Sequence, residues 1–162
     1  MNDLLDKAIA IATEAHKEQI DKTGAPYIGH VTRVMQAGNT IDEKIVGILH
    51  DLVEDTDWTF EQLKAEFPKH IVDAIKCLTK TSDDEPYDEF IKRVMTNHIA
   101  IKVKINDLTD NMDIRRLPEI TDKDIVRLKK YHKAYKELVA FSMDGRKMAQ
   151  LKLFARMNSE GF

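Results

Sequence analysis

The sequence predicts an all-α domain, a compact bundle of several helices, on three observations. Apolar residues recur at helical spacing in most segments between the loops. Two Thr-x-x-Glu/Gln patterns, beginning at Thr40 and Thr59, have the form of helix capping boxes. The stretch 99–105 alternates as a strand would, but the chain offers it no partner strand, and the helical spacing continues past it. We therefore expect a helix there too.

The elements follow in order along the chain. The first helix is predicted over residues 3–20, and residues 21–27 form a loop because they contain Gly and Pro. A short helical segment begins at His30 and ends near Gly38, and the capping pattern at Thr40 starts the helix that carries His50. Further helices are expected from Thr59 to Phe67, after Pro68 to Leu78, from Phe90 to Met95, from Ile99 through Met112, and from Thr121 or Asp122 to Leu138.

Residues after a predicted break at 142–145 carry one more apolar stripe. Met148, Leu151, Phe154 and Met157 have helical spacing, which predicts one more helix. We expect this stripe to close the core, with contact to a second subunit as the alternative.

Length and composition fit one soluble domain. The chain has 162 residues, of which 43% are hydrophobic and 33% charged, so a single domain over residues 1–162 is expected. A net charge of -3 gives no electrostatic reason to bind nucleic acid or an anionic membrane. Cys77 is the one cysteine, which excludes an internal disulfide and a thiolate zinc site. Without a basic leader or a long apolar run, we expect a cytoplasmic protein. The oligomeric state is not readable.

The stretch 47–56 is unusual for its polar face. If it is one continuous helix, His50, Asp51, Glu54 and Asp55 fall on an arc of roughly 140°. Gly47 lies inside that arc, where we expect it to leave space beside the polar side chains. No Lys or Arg on this face pairs with the three carboxylates. Such groups repel one another once ionised unless a cation neutralises them. This pattern predicts one wall of a metal site, and an acidic face in contact with solvent is the plainer alternative.

Metal ligands can come from three separate places. These are His30, the pair His50-Asp51, and the segment 106–111, in which Asp107 and Asp110 share a helix face. Either carboxylate of that segment could reach an ion held by the other two places. Two imidazoles and two carboxylates without sulfur suit Mn²⁺, Fe²⁺ or a similar first-row ion with positions open to water.

The order of these residues resembles the HD superfamily of metal-dependent phosphohydrolases. Its signature is a His, then a His-Asp pair about 20 residues on, then an Asp about 57 residues further, as in this chain. Four stretches resemble more closely the alarmone hydrolase branch of that superfamily: 22–30 is similar to its Lys-Ser-Gly-Glu-Pro-Tyr-x-x-His, 50–56 matches its His-Asp-x-x-Glu-Asp-Thr, 78–80 matches its Leu-Thr-Lys, and 104–112 resembles its Lys-Leu-Ala-Asp-Arg-Leu-His-Asn-Met. The resemblance covers about residues 22–131.

This resemblance implies an HD-domain bundle and a role for ten residues. It implies that His30, His50, Asp51 and Asp107 hold the metal, that Glu54 and Asp55 activate and orient the attacking water, and that Lys22, Asn111, Arg127 and Tyr131 bind the substrate. It favours Asp107 over Asp110 as the ligand. The implied partner is a small phosphorylated nucleotide, and the implied reaction is manganese-dependent removal of the 3′-pyrophosphate of guanosine tetraphosphate or pentaphosphate.

Two departures from the branch leave other functions open. Asp21 stands where the branch commonly has an Arg that stacks on the base, and 108–110 replaces its Arg-Leu-His. Both changes remove positive or stacking groups, so hydrolysis of another nucleotide or phosphoester is the second hypothesis. The third is a non-catalytic nucleotide- or metal-binding module. Glu54 and Asp55 argue against it, because a binding module has no need of a water-activating pair.

Overall fold

A computed structural model describes residues 3–159 of the chain, with side chains described up to residue 145. Within these residues the chain is all-helical, as predicted, and its one β-bridge is the isolated pair Ile20–Pro26. The α-helices are α1 Asp3–Ala15, α2 Ile28–Gln36, α3 Ile41–Leu49, α4 Leu52–Asp55, α5 Phe60–Glu66, α6 Lys69–Leu78, α7 Tyr87–Val94, α8 His98–Asn111 and α9 Asp122–Ser159, with a 3-10 turn at Ile114–Arg116.

Helix α3 lies at the centre of the bundle. It packs against α1, α2, α6 and α8, and α8 in turn packs against α9. Residues 45–49 of α3 are all buried, so this helix is apolar around its whole circumference at its C-terminal end. Burying one such Ile or Leu side chain stabilises the fold by about 1.5–3 kcal/mol. The core therefore fixes the position of the residues that follow α3.

Side-chain caps set the start of several helices. Thr59 and Gln62 form the predicted capping box at the start of α5. At α3, the Thr40 hydroxyl accepts from the backbone N–H of Glu43, but the Glu43 carboxylate accepts from the N–H of Asn39 instead of closing the box on Thr40. The predicted helix starts are thus confirmed at both threonines, and satisfying these free N–H groups stabilises each helix by about 1 kcal/mol.

The prediction of one continuous helix through 47–56 is wrong. Helix α3 ends at Leu49, His50 is its C-terminal cap, and Asp51 leaves helical geometry with φ -100° and ψ 2° before α4 begins. Residues on either side of the break no longer share one helix axis, so the predicted single arc does not extend across it. The Asp51 carboxylate is held by the Tyr27 hydroxyl at 2.6 Å, a contact from another part of the chain.

Gly47 has a different role from the one its place on the arc suggested. A Cβ at this position would lie 3.0 Å from the Met35 Cα and 3.1 Å from the Met35 N. Both are backbone atoms of α2. Gly47 therefore allows α2 and α3 to approach closely, and it does not leave space beside the polar face.

The ends of the chain's first and last helices also differ from the prediction. Helix α1 stops at Ala15, five residues before the expected end, and α9 continues through the predicted break at 142–145. The stripe at Met148, Leu151, Phe154 and Met157 lies outside the described side chains, so its contacts stay a prediction. None of the described helices is both long and apolar enough to cross a membrane.

Candidate active site

Two buried histidines face each other between α2 and the end of α3. His30 and His50 are 5% and 2% exposed, and their ring centroids lie 5.5 Å apart. The Nδ1 of His50 lies 2.7 Å from the carbonyl oxygen of Gly47, which can only accept, so this nitrogen carries the proton. The Nδ1 of His30 lies 2.7 Å from a carboxylate oxygen of Asp110. Both rings therefore present Nε2 to the same centre.

Two carboxylates complete this centre. Asp107 Oδ1 lies 3.2 Å from the Nε2 of His30 and 3.6 Å from that of His50. Asp51 Oδ2 lies 2.9 Å from the Nε2 of His50 and 3.7 Å from that of His30. The structure thus brings the four predicted ligands together from three different parts of the chain.

The geometry of this cluster fits a metal ion. The ligand atoms of His30, His50 and Asp107 all lie within 4.8 Å of one another, and the three residues are buried. Although Asp51 lies 2.9 Å away, the buried Nε2 of His50 makes no hydrogen bond of acceptable geometry, which is costly unless a ligand satisfies it. Imidazole and carboxylate donors without sulfur suit a borderline or hard divalent cation. We call this cluster the metal centre.

The electrostatics of the metal centre also call for positive charge. Burial disfavours the charged form of both histidines, but the neighbouring carboxylates outweigh it and raise the pKa of His30 to about 11 and that of His50 to about 10. Burial likewise opposes ionisation of Asp51 and Asp107. Here cations outweigh it, His50 for Asp51 and Lys104 for Asp107, and both pKa values fall below the usual range. A divalent cation would take the place of the histidine protons and neutralise the charge of the same carboxylates.

Glu54 and Asp55 lie one turn beyond the metal centre on α4. The Glu54 carboxylate accepts from the backbone N–H of Lys80 at 3.1 Å, and the Asp55 carbonyl oxygen accepts from the Gln19 side chain at 2.6 Å. Although Asp55 is exposed by area, its carboxyl sits in a concave wall where protein replaces part of its hydration. This burial, together with the charge of Asp51, raises the pKa of Asp55, which makes it a stronger base than an ordinary aspartate.

The metal centre opens into a cavity of about 450 Å³. Nine of the ten predicted site residues line it, and the tenth, His50, lies buried behind Asp51. Basic and aromatic side chains form a further part of the lining, which we call the basic wall: Lys22, Lys80, Arg127, Lys130, Tyr87 and Tyr131. A cavity lined by both carboxylates and cations suits an anionic ligand that a metal ion joins to the carboxylates.

Several known proteins are similar to this chain. A guanosine-3′,5′-bis(diphosphate) 3′-pyrophosphohydrolase of Haemophilus influenzae is 37% identical over 116 residues, which are 63% of this chain and 17% of that protein. The corresponding enzyme of Aquifex aeolicus is 30% identical over 119 residues, 67% of this chain and 17% of the relative. A GTP pyrophosphokinase of Myxococcus xanthus is 31% identical over 143 residues, 78% of this chain and 19% of the relative. The chain thus matches about a sixth of the length of these curated relatives.

A solved structure supports the same relationship at the level of the fold. It is described as a metazoan ortholog of SpoT that hydrolyses ppGpp, and it superposes with a TM-score of 0.74, covering 94% of this chain and 97% of the other at 18% identity. The chain is an alarmone-hydrolase-like domain. No protein-family model matches it.

In this alarmone-hydrolase-like domain, two further side chains hold Asp107. Lys104 was not singled out from the sequence, and Asn111 was assigned to the substrate. Lys104 donates to Asp107 Oδ2 at 2.8 Å, and the Asn111 amide donates to Oδ1 at 2.5 Å. Asn111 was predicted to bind substrate, and it does line the cavity, but one of its donors is engaged by Asp107. Lys104 could have been found from its spacing, because residues three apart share a helix face.

Asp110, the rival ligand, lies on the far side of His30. Its carboxylate contacts Nδ1 of that ring, whereas Asp51 and Asp107 contact Nε2. Arg116 of the 3-10 turn donates to both the carbonyl and the carboxylate of Asp110, at 2.8 and 3.0 Å. The geometry therefore gives Asp110 a place behind the ligand and not in the metal centre.

The remaining predicted substrate residues lie on the basic wall. Arg127 donates to Asp124 at 2.7 Å, and the ring of Tyr131 lies 6.2 Å from that of Tyr87. The pKa of Lys22 is lowered by burial in the wall and by the charge of Arg127. A lysine surrounded by cations in this way gains from a bound anion, because the anion relieves the repulsion.

The two departures from the branch have structural explanations. The Asp21 carboxylate closes its own loop by accepting from the N–H and hydroxyl of Thr23, at 2.8 and 2.6 Å, and from the N–H of Ala25 at 3.0 Å. Gly24 permits this turn with φ +83°. Leu108 is fully buried, so an arginine has no place there in this core.

Proposed function

We propose that this domain is a divalent-metal-dependent phosphohydrolase that removes the 3′-pyrophosphate from guanosine tetraphosphate or pentaphosphate. The observation that carries the proposal is the position of the metal centre in the floor of a cavity that also holds Glu54 and Asp55. A binding module gains nothing from two further carboxylates beside a metal site. A hydrolase needs them to handle the attacking water.

Four residues would hold the ion, and we propose Mn²⁺ as the first metal to test. His30, His50, Asp51 and Asp107 are the ligands in this proposal, on the distances given above. When bound there, a divalent cation would supply Lewis-acid stabilisation of the phosphoryl oxygens and lower the pKa of water. The chain itself supplies a fixed cage, because Tyr27, Lys104, Asn111 and Asp110 each hold one ligand from behind.

Glu54 and Asp55 would deprotonate and orient the water that attacks the 3′-linked phosphorus. Asp55 is the better placed of the two to accept the proton, because burial and the charge of Asp51 raise its pKa. The Glu54 carboxylate, held by the Lys80 N–H, would orient the water from the other side. The bond between the 3′ oxygen and phosphorus would then break, and the 3′ oxygen would take up a proton, from Asp55 or from solvent, to give pyrophosphate and a free 3′-hydroxyl.

Lys22 and Arg127 would bind the anionic arm of the substrate that is not being cleaved. Tyr131 would pack against the sugar, and the second donor of Asn111 would reach the nucleotide. These roles rest on the places of the four side chains around one cavity. In this proposal residues 1–162 act as one domain.

One observation favours a second candidate within the same chemistry. Asp21 is engaged in its own loop, and no guanidinium comes from that position to stack on a base. A phosphohydrolase that acts on another nucleotide or phosphoester is consistent with this change. The metal and the water chemistry would be the same.

A product assay on the purified protein separates these candidates. The protein is incubated with Mn²⁺ and either guanosine tetraphosphate or a panel of other nucleotides, and pyrophosphate and inorganic phosphate are measured separately. We expect pyrophosphate and guanosine diphosphate from the tetraphosphate. Release of inorganic phosphate from other nucleotides, with the alarmone unchanged, would replace the first proposal by the second. Metal binding without cleavage of any phosphoester would refute both.

A further inference from the structure

The two histidines of the metal centre are held in the same way but by acceptors of different charge. Each ring has its Nδ1 at 2.7 Å from an oxygen and its Nε2 toward the metal centre. For His50 the acceptor is the neutral carbonyl of Gly47 on the same helix. For His30 it is the carboxylate of Asp110, which lies 80 residues away in the sequence. An ionised acceptor orients an imidazole more strongly and makes it a more basic ligand.

Asp110 is itself held by two arginines. Arg33 donates from Nε to Oδ1 at 2.6 Å and from one terminal nitrogen to Oδ2 at 3.2 Å. Arg116 donates to Oδ2 at 3.0 Å and to the backbone carbonyl of the same residue at 2.8 Å. The Asp110 side chain is 11% exposed, and the charge of the carboxylate is neutralised by these guanidinium groups. We call Asp110, Arg33 and Arg116 the aspartate clamp.

The clamp leaves the carboxylate little freedom to turn toward the ion. Oδ1 is engaged by Arg33, and Oδ2 is shared by His30, Arg33 and Arg116. To become a ligand, Asp110 would have to leave both arginines and move from the Nδ1 edge of the His30 ring to its Nε2 edge. Arg33 lies one turn after His30 on α2, so the clamp also fixes the helix that carries the ligand to the end of α8.

We propose that Asp110 is a positioning residue that fixes the His30 ring for metal binding and that the two arginines keep it in this role. The family resemblance assigned no role to Asp110, Arg33 or Arg116, and the clamp follows from their contacts alone. The inference rests on the proposed function only in requiring that a divalent cation binds at the metal centre. It requires nothing of the nucleotide.

Metal affinity tests this directly, without substrate. Mn²⁺ is titrated into metal-free protein by calorimetry for the wild type, Asp110→Asn and Arg33→Gln, and the visible spectrum of bound Co²⁺ reports the geometry of the ligands. We expect Asp110→Asn to bind Mn²⁺ about 10–100-fold more weakly, as for other residues behind a metal ligand, and to change the Co²⁺ spectrum. Arg33→Gln should have a smaller effect in the same direction, because the bond between Asp110 and His30 remains.

Asp42→Asn is the matched control. Asp42 also pairs with a histidine, His70, at 3.2 Å, but this pair lies at the surface and away from the metal centre. The same change of a carboxylate to an amide should leave Mn²⁺ affinity at the wild-type value. Circular dichroism and thermal unfolding of the metal-free proteins measure folding separately from binding.

Three results would overturn the inference. In the first, Asp110→Asn is less stable but binds Mn²⁺ with wild-type affinity and an unchanged Co²⁺ spectrum, which is a purely structural role. In the second, Asp110→Asn loses the metal completely while Asp107→Asn keeps it, which makes Asp110 the ligand. In the third, the wild type binds neither ion. If Asp110→Asn does not fold, wild-type affinity and spectrum in Arg33→Gln would also count against it.

The outcome is independent of the reaction. A protein that cleaves no alarmone but needs Asp110 for tight Mn²⁺ binding would refute the proposed function and support the clamp. If the protein releases pyrophosphate but the wild type and Asp110→Asn bind Mn²⁺ equally tightly, the proposed function would be supported and the clamp refuted.

Discussion

Substitution of Gly47 by alanine tests whether close packing of α2 on α3 sets the metal centre. The new Cβ would lie 3.0 Å from the Met35 Cα, whereas ordinary contact begins at 3.4 Å. The neighbouring atoms belong to the α2 backbone, so no side chain can turn away. Helix α2 would have to retreat by about 0.4 Å.

Two opposing terms give the size of the effect. Overpacking of this kind costs roughly 1–3 kcal/mol, and alanine in place of a helical glycine gains about 0.5–1 kcal/mol. We therefore expect Gly47→Ala to lower the free energy of unfolding by about 1 kcal/mol. Helix α2 carries His30, and metal sites tolerate errors of about 0.2 Å in ligand distance. We expect Mn²⁺ affinity to fall roughly tenfold in the same variant.

Gly145→Ala is the control, because a Cβ at Gly145 in α9 meets nothing within 4 Å. Only the gain from replacing a helical glycine by alanine applies to Gly145→Ala. Its free energy of unfolding should therefore rise by about 0.5–1 kcal/mol, and its Mn²⁺ affinity should not change. Urea unfolding of both variants and calorimetric Mn²⁺ titration measure the two effects. The reasoning is refuted if Gly47→Ala stabilises the protein as much as Gly145→Ala does, or if it binds Mn²⁺ as tightly as the wild type.

Three further predictions concern the metal, the water and acid stability. Asp51→Ala should lose the metal, as measured by elemental analysis after dialysis, and a stoichiometric content of Mn²⁺ would contradict its role as a ligand. Glu54→Gln should keep its Mn²⁺ but lose turnover by about 10²–10⁴-fold, and unchanged pyrophosphate release would remove Glu54 from the mechanism. Hydrogen bonds from Arg93 lower the pKa of Glu85 from 4.5 to about 2, so its contribution to stability is complete above pH 4.5 and disappears as pH falls through 2. Glu85→Gln should therefore unfold with about 2 kcal/mol less free energy at pH 7, and urea titrations at both ends of this range should show the difference vanish near pH 2.

Local signals in the sequence were sufficient for most of the helices. The caps at Thr40 and Thr59 and the helix over 99–105 were predicted because their causes lie within a few residues. The break at 50–51 was missed because its cause is distant. Tyr27, 24 residues away, donates to Asp51, and Gln19, 36 residues away, donates to the carbonyl of Asp55. The spacing of apolar residues along the sequence carries no information about such distant contacts.

For the candidate site, the sequence likewise predicted the residues that line the cavity but not the contacts that support them. The spacing of histidines and aspartates, read through the family resemblance, named residues that the fold places around one cavity. The supporting layer was not predicted, because an Arg such as Arg116 is unremarkable until the fold brings it to Asp110 and Asp21. Lys104 was not predicted either, although its partner lies only three residues away and the spacing could have indicated the pair. The contact of Gly47 with α2 arises from packing between helices and leaves no local signal in the sequence. For this reason its place on the polar face was the only indication of its role.

The break at 50–51 divides the site into two parts with different ties to the rest of the molecule. His50 belongs to the buried end of α3, whereas α4 has only Leu52 in the core and is tied by Gln19 and Tyr27 to the loop that carries Lys22. Elements with few buried contacts open at a lower free energy than the core, so we expect α4 and this loop to exchange their backbone amide hydrogens faster than α3. Opening of α4 would also break the hydrogen bond from the Lys80 N–H to Glu54. Such an opening would separate Glu54 and Asp55 from the ion while the histidines stay in place. In that state the fold would persist without the two carboxylates that the proposed hydrolysis needs.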